Sequence, residues 1–245
     1  MMDNKIFVTT FNKELFDRYA HTLLDSYRQT KQLIKMYVFV EDTIDLFPRY
    51  ENVIFKNLYD EEPNCREFVQ RNKNRPVKDF FKDAVRFSYK VFAQNAARKY
   101  GQKIYYVDSD SVFVKQIPIE WFDSVLPDDT FISFYDRPTQ YTETGFVAFN
   151  ESKLISKAFF THYLNYYIND SVYKLNSYTD CHTLDGSRKQ FKDKDIHYKE
   201  KSLGDGRNGH IMARCPIISP YLDHRKGNRK NKQHSPEWRG TDESR

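Results

Sequence analysis

The chain alternates short runs of apolar residues with longer segments whose apolar residues recur at helical spacing. The apolar runs lie at residues 6–11, 36–40, 53–55 and 103–107. They are rich in β-branched and aromatic residues, which predicts buried strands. Residues 15–27 and 77–100 carry the helical spacing. This alternation predicts an α/β fold with a mostly parallel central sheet flanked by helices, whose ligand crevice lies beyond the carboxyl ends of the strands.

The remaining patterns are weaker. Further strands are predicted at residues 131–134 and 146–149, and a helix at 152–168. Phe80 and Phe81 are expected on the buried side of the helix over 77–100. Residues 60–76 predict irregular structure, and the regular pattern fades beyond residue 170. We expect a single domain over residues 1–232 and a polar, flexible tail over 233–245.

Composition excludes several classes of protein. The 20 Phe and 18 Tyr among 245 residues are too many for a disordered chain. The apolar runs are all much shorter than the roughly 20 residues of a membrane-spanning helix. Three cysteines without a CxxC pair indicate free thiols in a reducing compartment, so we expect a cytoplasmic protein.

The net charge of +5 is concentrated in one segment. Residues 186–234 contain 13 Lys and Arg against 5 Asp and Glu. Such an excess fits a phosphate-bearing small molecule, a nucleic acid or an anionic surface.

Two carboxylates follow the predicted strand over 103–107, at Asp108 and Asp110. Paired carboxylates in a turn suit a hard divalent cation that also contacts substrate phosphates. The alternative is a solvated turn that caps a neighbouring helix. Because ligands gather at this end of a parallel sheet, the position favours the cation site.

A second group of polar residues lies near the C-terminus, at His224, Gly227 and Lys230. Imidazole is a good ligand for a transition-metal ion, glycine lets backbone approach a phosphate, and lysine supplies a positive charge. The alternative is a disordered basic tail, which most runs of charge are. Residues 217–222, directly before this group, are too apolar for a free tail.

Together the two groups resemble the nucleotide-sugar-dependent glycosyltransferases of the GT-A fold, in particular family 8, the glycogenin and galactosyltransferase group. The resemblance implies that Asp108, Asp110 and His224 hold Mn²⁺, with Mg²⁺ as the other possibility. It also implies that Gly227 and Lys230 contact the diphosphate of the donor. The expected activity is the metal-dependent, retaining transfer of a hexose from a nucleotide-diphosphate sugar, with UDP favoured, to a hydroxyl on a glycan or other acceptor.

Two segments between these groups are similar to further motifs of the family. Residues 145–150 match a Gly-Val-x-x-x-Asn strand, although Glu143 and Thr144 replace the usual Asn-Ala before it. Residues 180–185 match an Asp-Gln-Asp-x-Leu-Asn segment only at Asp180 and Leu184. Residues 231–232 also lack the Pro-Trp that commonly follows the final lysine. On this resemblance Asp180 is a candidate catalytic residue. Glu143 lies near a predicted loop over the site and is a candidate acceptor-side carboxylate or base, with a solvated loop acid as the alternative.

Several other residues are candidates for donor or acceptor contacts. Thr9 and Phe11 end the first strand, where the nucleotide base and ribose bind in this fold. Ser109 between the two aspartates, and Arg86 on the helix over 77–100, are candidates for the donor phosphates. For an aromatic platform under a sugar, the candidates are Trp121, Tyr135 and Tyr141.

Two other functions fit part of the sequence. A nucleotidyltransferase or other phosphoryl-transfer enzyme also places paired aspartates on a metal ion. A nucleic-acid-binding protein would use the basic residues of 186–234. Because that second function leaves Asp108 and Asp110 unexplained, nucleic acid is an unlikely partner.

Overall fold

The computed structural model describes residues 4–204, 210, 212–230, 232, 234–236 and 238, and its centre is a seven-stranded sheet. The strand order is β3-β2-β1-β4-β7-β6-β8, and β5 pairs with β9 in a separate two-stranded sheet. The strands are β1 (Lys5–Thr10), β2 (Lys35–Val40), β3 (Val53–Asn57), β4 (Lys103–Val107), β5 (Ser111–Phe113), β6 (Ile132–Tyr135), β7 (Glu143–Asn150), β8 (Glu200–Ser202) and β9 (Leu222–His224). Only β7 runs against the others in the described sheet, which confirms the mostly parallel prediction.

Helices flank the sheet. The α-helices are α1 (Lys13–Leu15), α2 (His21–Gln29), α3 (Leu58–Glu61), α4 (Pro63–Asn72), α5 (Ala84–Ala97), α6 (Ile119–Val125), α7 (Ser156–Ile168) and α8 (Asp180–Phe191). A π-helical turn (Phe16–Ala20) joins α1 to α2. Short 3₁₀ turns lie at Ile44–Leu46, Phe80–Lys82, Ser171–Lys174, Met212–Arg214 and Gly227–Arg229. Among the described residues, no helix is both long and apolar enough to span a bilayer.

The crevice lies where the strand order reverses. From β1 the sheet continues to β2 and β3 on one side and to β4 on the other, with all four strands parallel. Connections leave in opposite directions from such a point, so the carboxyl ends of β1 and β4 border an open space. Asp108 directly follows β4, and its backbone N–H donates to the carbonyl of Gly145 on β7 at 2.9 Å.

The small second sheet brings the C-terminal part of the chain to this edge. Ser111 pairs with His224, and Phe113 pairs with Leu222. The backbone N–H of Arg225 donates to the carbonyl of Asp110 at 2.9 Å. Strand pairing therefore sets His224 beside Asp110.

The structure corrects the start of the helix predicted over 77–100. The helix α5 begins at Ala84, because the Asp83 carboxylate caps it by accepting the Arg86 N–H at 3.1 Å. Phe80 and Phe81 therefore lie in a separate 3₁₀ turn and are 55% and 59% exposed, so the prediction that they are buried was wrong.

The sequence analysis did not predict α6, nor two further helical regions. The segment predicted to be irregular over 60–76 contains the second half of α3 and all of α4, where the side chain of Asn57 caps α3 and Pro63 begins α4. The helix α8 follows at Asp180–Phe191. Polar residues predominate in both regions, which weakens the apolar periodicity that reveals a helix.

Some residues of the predicted tail contact the domain. The backbone N–H of Ser235 donates to the Asp223 carboxylate at 2.8 Å, and the indole N–H of Trp238 donates to the carbonyl of Ser219, also at 2.8 Å. Of the segment 233–245, the structure describes only residues 234–236 and 238. The boundary at residue 232 stays a prediction.

We predict that Ser26 is needed to hold β5 in place. Its buried hydroxyl accepts the Phe113 N–H at 3.0 Å and donates to the Leu23 carbonyl at 2.8 Å. The substitution Ser26→Ala leaves that N–H without its partner and is expected to lower the free energy of unfolding by about 1–3 kcal/mol in urea titrations. The matched control is Thr22→Ala on the same helix, which removes only a bond to the Tyr19 carbonyl and is expected to cost less than about 1 kcal/mol. Equal effects of the two substitutions would contradict this role.

Candidate metal centre and adjoining cleft

Two carboxylates and one imidazole converge at the end of β4. Nε2 of His224 lies 3.0 Å from Oδ1 of Asp110 and 3.6 Å from Oδ2 of Asp108. One ligand atom from each residue can be chosen so that all lie within 4.8 Å of one another. Three donors at such spacing can hold one cation, as the sequence analysis predicted for these residues.

The imidazole of His224 is held tightly in this position. The residue is 1% exposed, and its carbonyl accepts the Ser235 hydroxyl at 3.0 Å. On β7, a side chain at Gly145 would lie 2.6 Å from Cε1 of His224, so only glycine leaves room for the ring. Burial disfavours the charged imidazole, but Asp110 and Asp108 outweigh burial and raise the pKa of His224.

Lys230 completes the surroundings of Asp110. Its ammonium lies 3.2 Å from Oδ2 of Asp110 and 3.9 Å from the centre of the Tyr19 ring. Burial opposes ionisation of this carboxylate, yet His224 and Lys230 outweigh burial and lower the pKa of Asp110. Gly227, at the start of the same turn, has a φ of +65° and open space where a side chain would lie.

A buried lysine joins Asp108 to Asp180. The ammonium of Lys90 lies 2.7 Å from Oδ1 of Asp108 and 2.9 Å from Oδ2 of Asp180. Burial disfavours the charge on Lys90, but the two carboxylates raise its pKa well above the usual value. Asp180, the first residue of α8, is 2% exposed. The ammonium of Lys90 thus links Asp180 to Asp108, one of the candidate metal ligands.

The other two charged candidates lie in different settings. Glu143 on β7 is 2% exposed and pairs with Lys226 at 3.1 Å and Arg137 at 3.3 Å. Burial opposes its ionisation, but Lys226, His224 and Arg137 hold the pKa of Glu143 at about 2. Such a carboxylate is a poor proton acceptor near neutral pH. Arg86 has an exposed side chain that pairs with Asp83 at 3.4 Å and lines the cleft.

A cleft of about 490 Å³ adjoins the cluster. It is lined by Thr10, Phe11, Asn12, Glu14, Leu15, Arg18, Tyr19, Glu41, Phe80, Arg86, Phe87, Tyr89, Lys90, Tyr106, Asp108, Ser109, Asp110 and Lys230. Phe11 and Ser109 are therefore at its wall, as predicted for donor contacts. Thr9 is fully buried within β1, and its neighbour Thr10 lines the cleft in its place.

Two of the three aromatic candidates are unsuited to stacking on a sugar. Trp121 is 5% exposed and donates its indole N–H to the Ile217 carbonyl at 2.6 Å, while Tyr135 is fully buried. Tyr141 is 44% exposed, but its ring already contacts the His182 ring. The rings of Trp121 and Tyr135 belong to the hydrophobic core, and no local sequence pattern indicated their burial.

Sequence reasoning did not select Glu41 or Tyr19. It gave Lys226 only a general electrostatic contribution, and it considered Lys90 together with Arg86 but kept only Arg86 as a site residue. The signal for Glu41 was its place directly after β2, at the same edge of the sheet as Asp108. Lys90 lies one helical turn beyond Arg86, so spacing alone did not separate them. The partners of Lys226 and Tyr19 come from distant segments and carried no local signal.

No protein-family model and no curated protein matches the chain. Solved structures do. The apo form of mouse xyloside xylosyltransferase 1 matches with a TM-score of 0.50 and 14% identity over 81% of this chain and 85% of that one. The glycosyltransferase GlyE of Streptococcus pneumoniae matches with a TM-score of 0.50 and 15% identity over 81% of this chain and 46% of that one.

A third structure, the bifunctional glycosyltransferase WbbM in its apo form, matches with a TM-score of 0.50 and 12% identity over 83% of this chain and 39% of that one. The chain has a GT-A-like fold. All three neighbours are glycosyltransferases, and the chain spans less than half the length of two of them. At these identities the likeness concerns the fold.

We predict that Glu41 makes stability depend on pH. Burial and the neighbouring Asp42 raise the pKa of Glu41 to about 7, although a hydrogen bond with Tyr89 opposes them. An unfolded glutamate has a pKa near 4.3, so the stabilisation by protonated Glu41 is complete below that value and is lost as the pH rises through about 7. Glu41→Gln is expected to raise the free energy of unfolding relative to the native chain by up to about 4 kcal/mol above about pH 8 and by almost nothing near pH 4. Urea titrations of both proteins across this range measure the difference, and a constant difference would contradict the assignment.

Proposed function

We propose that the chain is a metal-dependent glycosyltransferase that moves a sugar from a nucleotide-diphosphate sugar, with UDP favoured, to a hydroxyl of a glycan or other acceptor. The observation that carries the proposal is the convergence of four side chains at the switch point of a GT-A-like sheet: Asp108, Asp110 and Lys230 line the cleft, and the buried imidazole of His224 lies 3.0 Å from Asp110. The three glycosyltransferase neighbours support the same class of reaction. The proposed reaction breaks the bond between the sugar and the diphosphate and forms a new bond to the acceptor oxygen.

The donor atoms suit a divalent ion. Two carboxylate oxygens and one imidazole nitrogen are ligands that Mn²⁺ accepts, whereas Mg²⁺ prefers oxygen alone, so we favour Mn²⁺. Asp108, Asp110 and His224 would hold the ion. When bound, it would offset the negative charge that grows on the departing diphosphate.

Residues of the chain supply the rest of the diphosphate site. Lys230 carries its ammonium at the wall of the cleft and can donate to a phosphate oxygen. Around Gly227 nothing lies where a side chain would be, which lets an anion approach the backbone. Arg86 and Ser109 also line the cleft and are candidates for the same phosphates.

Asp180 is the better candidate for contact with the reacting sugar. Asp180 and Asp108 both pair with Lys90, so Asp180 lies near the metal-site candidates. Glu143 instead forms ion pairs with Arg137 and Lys226. We propose that Asp180 and Lys90 position the sugar and that Glu143 positions Lys226. A hexosyl transfer with retained configuration follows from the family 8 resemblance and is part of this proposal.

The basic segment 186–234 is partly neutralised inside the fold. Arg188 pairs with Glu200 at 3.0 Å, Lys226 with Glu143 and Lys230 with Asp110. These three cations are therefore already paired with carboxylates, which leaves less of the basic charge for a nucleic acid. The described Cys65, Cys181 and Cys215 are free thiols, which supports the proposal of a reducing, cytoplasmic location.

We predict that Asp110→Asn abolishes the reaction without unfolding the chain. The amide keeps the shape of the carboxylate but loses the charge that His224 and Lys230 face, so Mn²⁺-dependent release of nucleoside diphosphate is expected to fall by about 100-fold or more. The assay offers UDP-, GDP- and other nucleotide sugars with and without Mn²⁺. Circular dichroism confirms folding.

The matched control is Asp123→Asn. Asp123 is an exposed carboxylate paired with Lys103 at 2.8 Å on another part of the surface, and its loss is expected to leave turnover unchanged. Full turnover by folded Asp110→Asn would overturn the proposed site. Release of pyrophosphate from a nucleoside triphosphate would instead indicate nucleotidyl transfer.

We predict that Lys230→Ala weakens binding of the nucleotide. Loss of one charged hydrogen bond to a phosphate is expected to reduce the affinity for UDP in the presence of Mn²⁺ by about 10-fold in calorimetry. Lys232→Ala removes an exposed lysine two positions away and is the matched control, expected to bind UDP normally. Unchanged affinity of Lys230→Ala would remove this residue from the site.

A further inference from the structure

The segment after α4 exposes apolar side chains beside the cleft. We call residues 73–82 the basic-aromatic loop. Val77, Phe80 and Phe81 within it are 54%, 55% and 59% exposed. The ring of Phe80 also lines the cleft, which places the loop beside the candidate site. Adjacent exposed apolar residues of this size are typical of a surface that contacts another molecule.

The same loop is positively charged. It contains Lys73, Arg75, Lys78 and Lys82 against the single acidic residue Asp79. All of these residues except the half-buried Lys82 are exposed. The loop therefore combines apolar side chains with a net positive charge of +3 on one short stretch of surface.

The loop is fixed to the domain by its backbone and its cations. The carbonyl of Phe81 accepts the Tyr178 N–H at 2.8 Å and the Ser177 hydroxyl at 3.3 Å. The Lys82 ammonium donates to the Asn176 carbonyl at 2.6 Å, and the Arg75 guanidinium lies 3.6 Å from the centre of the Tyr173 ring. These contacts anchor the loop at Arg75, Phe81 and Lys82. The side chains of Val77 and Phe81 are nevertheless exposed to solvent.

We propose that the basic-aromatic loop docks the protein on an anionic lipid membrane, with Val77 and Phe81 entering the interface and the lysines contacting the headgroups. An aliphatic chain and a phenyl ring have no hydrogen-bonding group, so they gain free energy in lipid and gain little on a hydrated polyanion. The lysines add attraction that only an anionic surface provides. Docking in this orientation brings the mouth of the cleft to the bilayer, where an acceptor carried by a lipid can reach it.

Binding of the full chain to vesicles tests this proposal without nucleotide or metal, so its outcome is independent of the proposed transferase activity. The chain is expected to float with vesicles of phosphatidylcholine and phosphatidylglycerol and not with phosphatidylcholine alone. Val77→Ser combined with Phe81→Ser is expected to reduce the partition coefficient by about tenfold or more, because both side chains leave the lipid interface. Lys73→Gln combined with Lys78→Gln is expected to reduce it by about fivefold per lysine at low salt.

The matched control carries Leu154→Ser and Lys157→Gln. These residues are also exposed, Leu154 at 80%, but they lie at α7, so this variant is expected to bind like the native chain. All substituted positions are exposed, and thermal unfolding checks that each variant is folded. The proposal is overturned if the native chain does not bind anionic vesicles, or if the Val77 and Phe81 variant binds them as well as the native chain. If the Val77 and Phe81 variant and the native chain bind the vesicles equally well, the attraction comes from charge elsewhere, such as residues 186–234.

Discussion

The contact between the His224 imidazole and the Asp110 carboxylate is the interaction on which the candidate site depends. It joins two distant parts of the chain at 3.0 Å, with both side chains largely buried. Two neighbouring carboxylates in a site of low dielectric repel each other and favour protonation unless cations lie close. His224 and Lys230 supply enough charge to lower the pKa of Asp110, whereas at Asp108 burial outweighs Lys90 and His224 and the pKa stays raised. A site with this balance is suited to a divalent ion and a diphosphate, which bring opposite charges together.

This contact in turn requires the architecture of the sheet. The reversal of strand order between β1 and β4 opens the crevice, and β4 delivers Asp108 to its edge. The pairing of β5 with β9 delivers His224. Gly145 on β7 leaves the space that the imidazole fills. Because these contributions come from β1, β4, β5, β7 and β9, the site is a property of the assembled fold.

Prediction from sequence succeeded where one residue pattern had one structural meaning. The short run over 103–107, rich in β-branched and aromatic residues, forms the predicted strand, and Asp108 and Asp110 follow it at the edge of the sheet. It failed where tertiary contacts decided the outcome. Phe80 and Phe81 continued a helical pattern, yet the Asp83 cap makes the helix begin at Ala84, after both residues. Trp121 and Tyr135 looked available for ligand but are enclosed by packing, and Glu143 is paired with two cations from other segments.

By itself, the sequence determined the α/β class, the direction of most strands and the two groups of residues that can hold a cation. Local periodicity and residue chemistry are sufficient for these, because a strand or a carboxylate has the same preferences wherever it lies. Only the tertiary structure decided that Lys90 links Asp108 to Asp180, and that Phe81 faces solvent from an anchored loop. Those outcomes depend on distances between segments far apart in the chain, and such distances are set by packing and strand pairing.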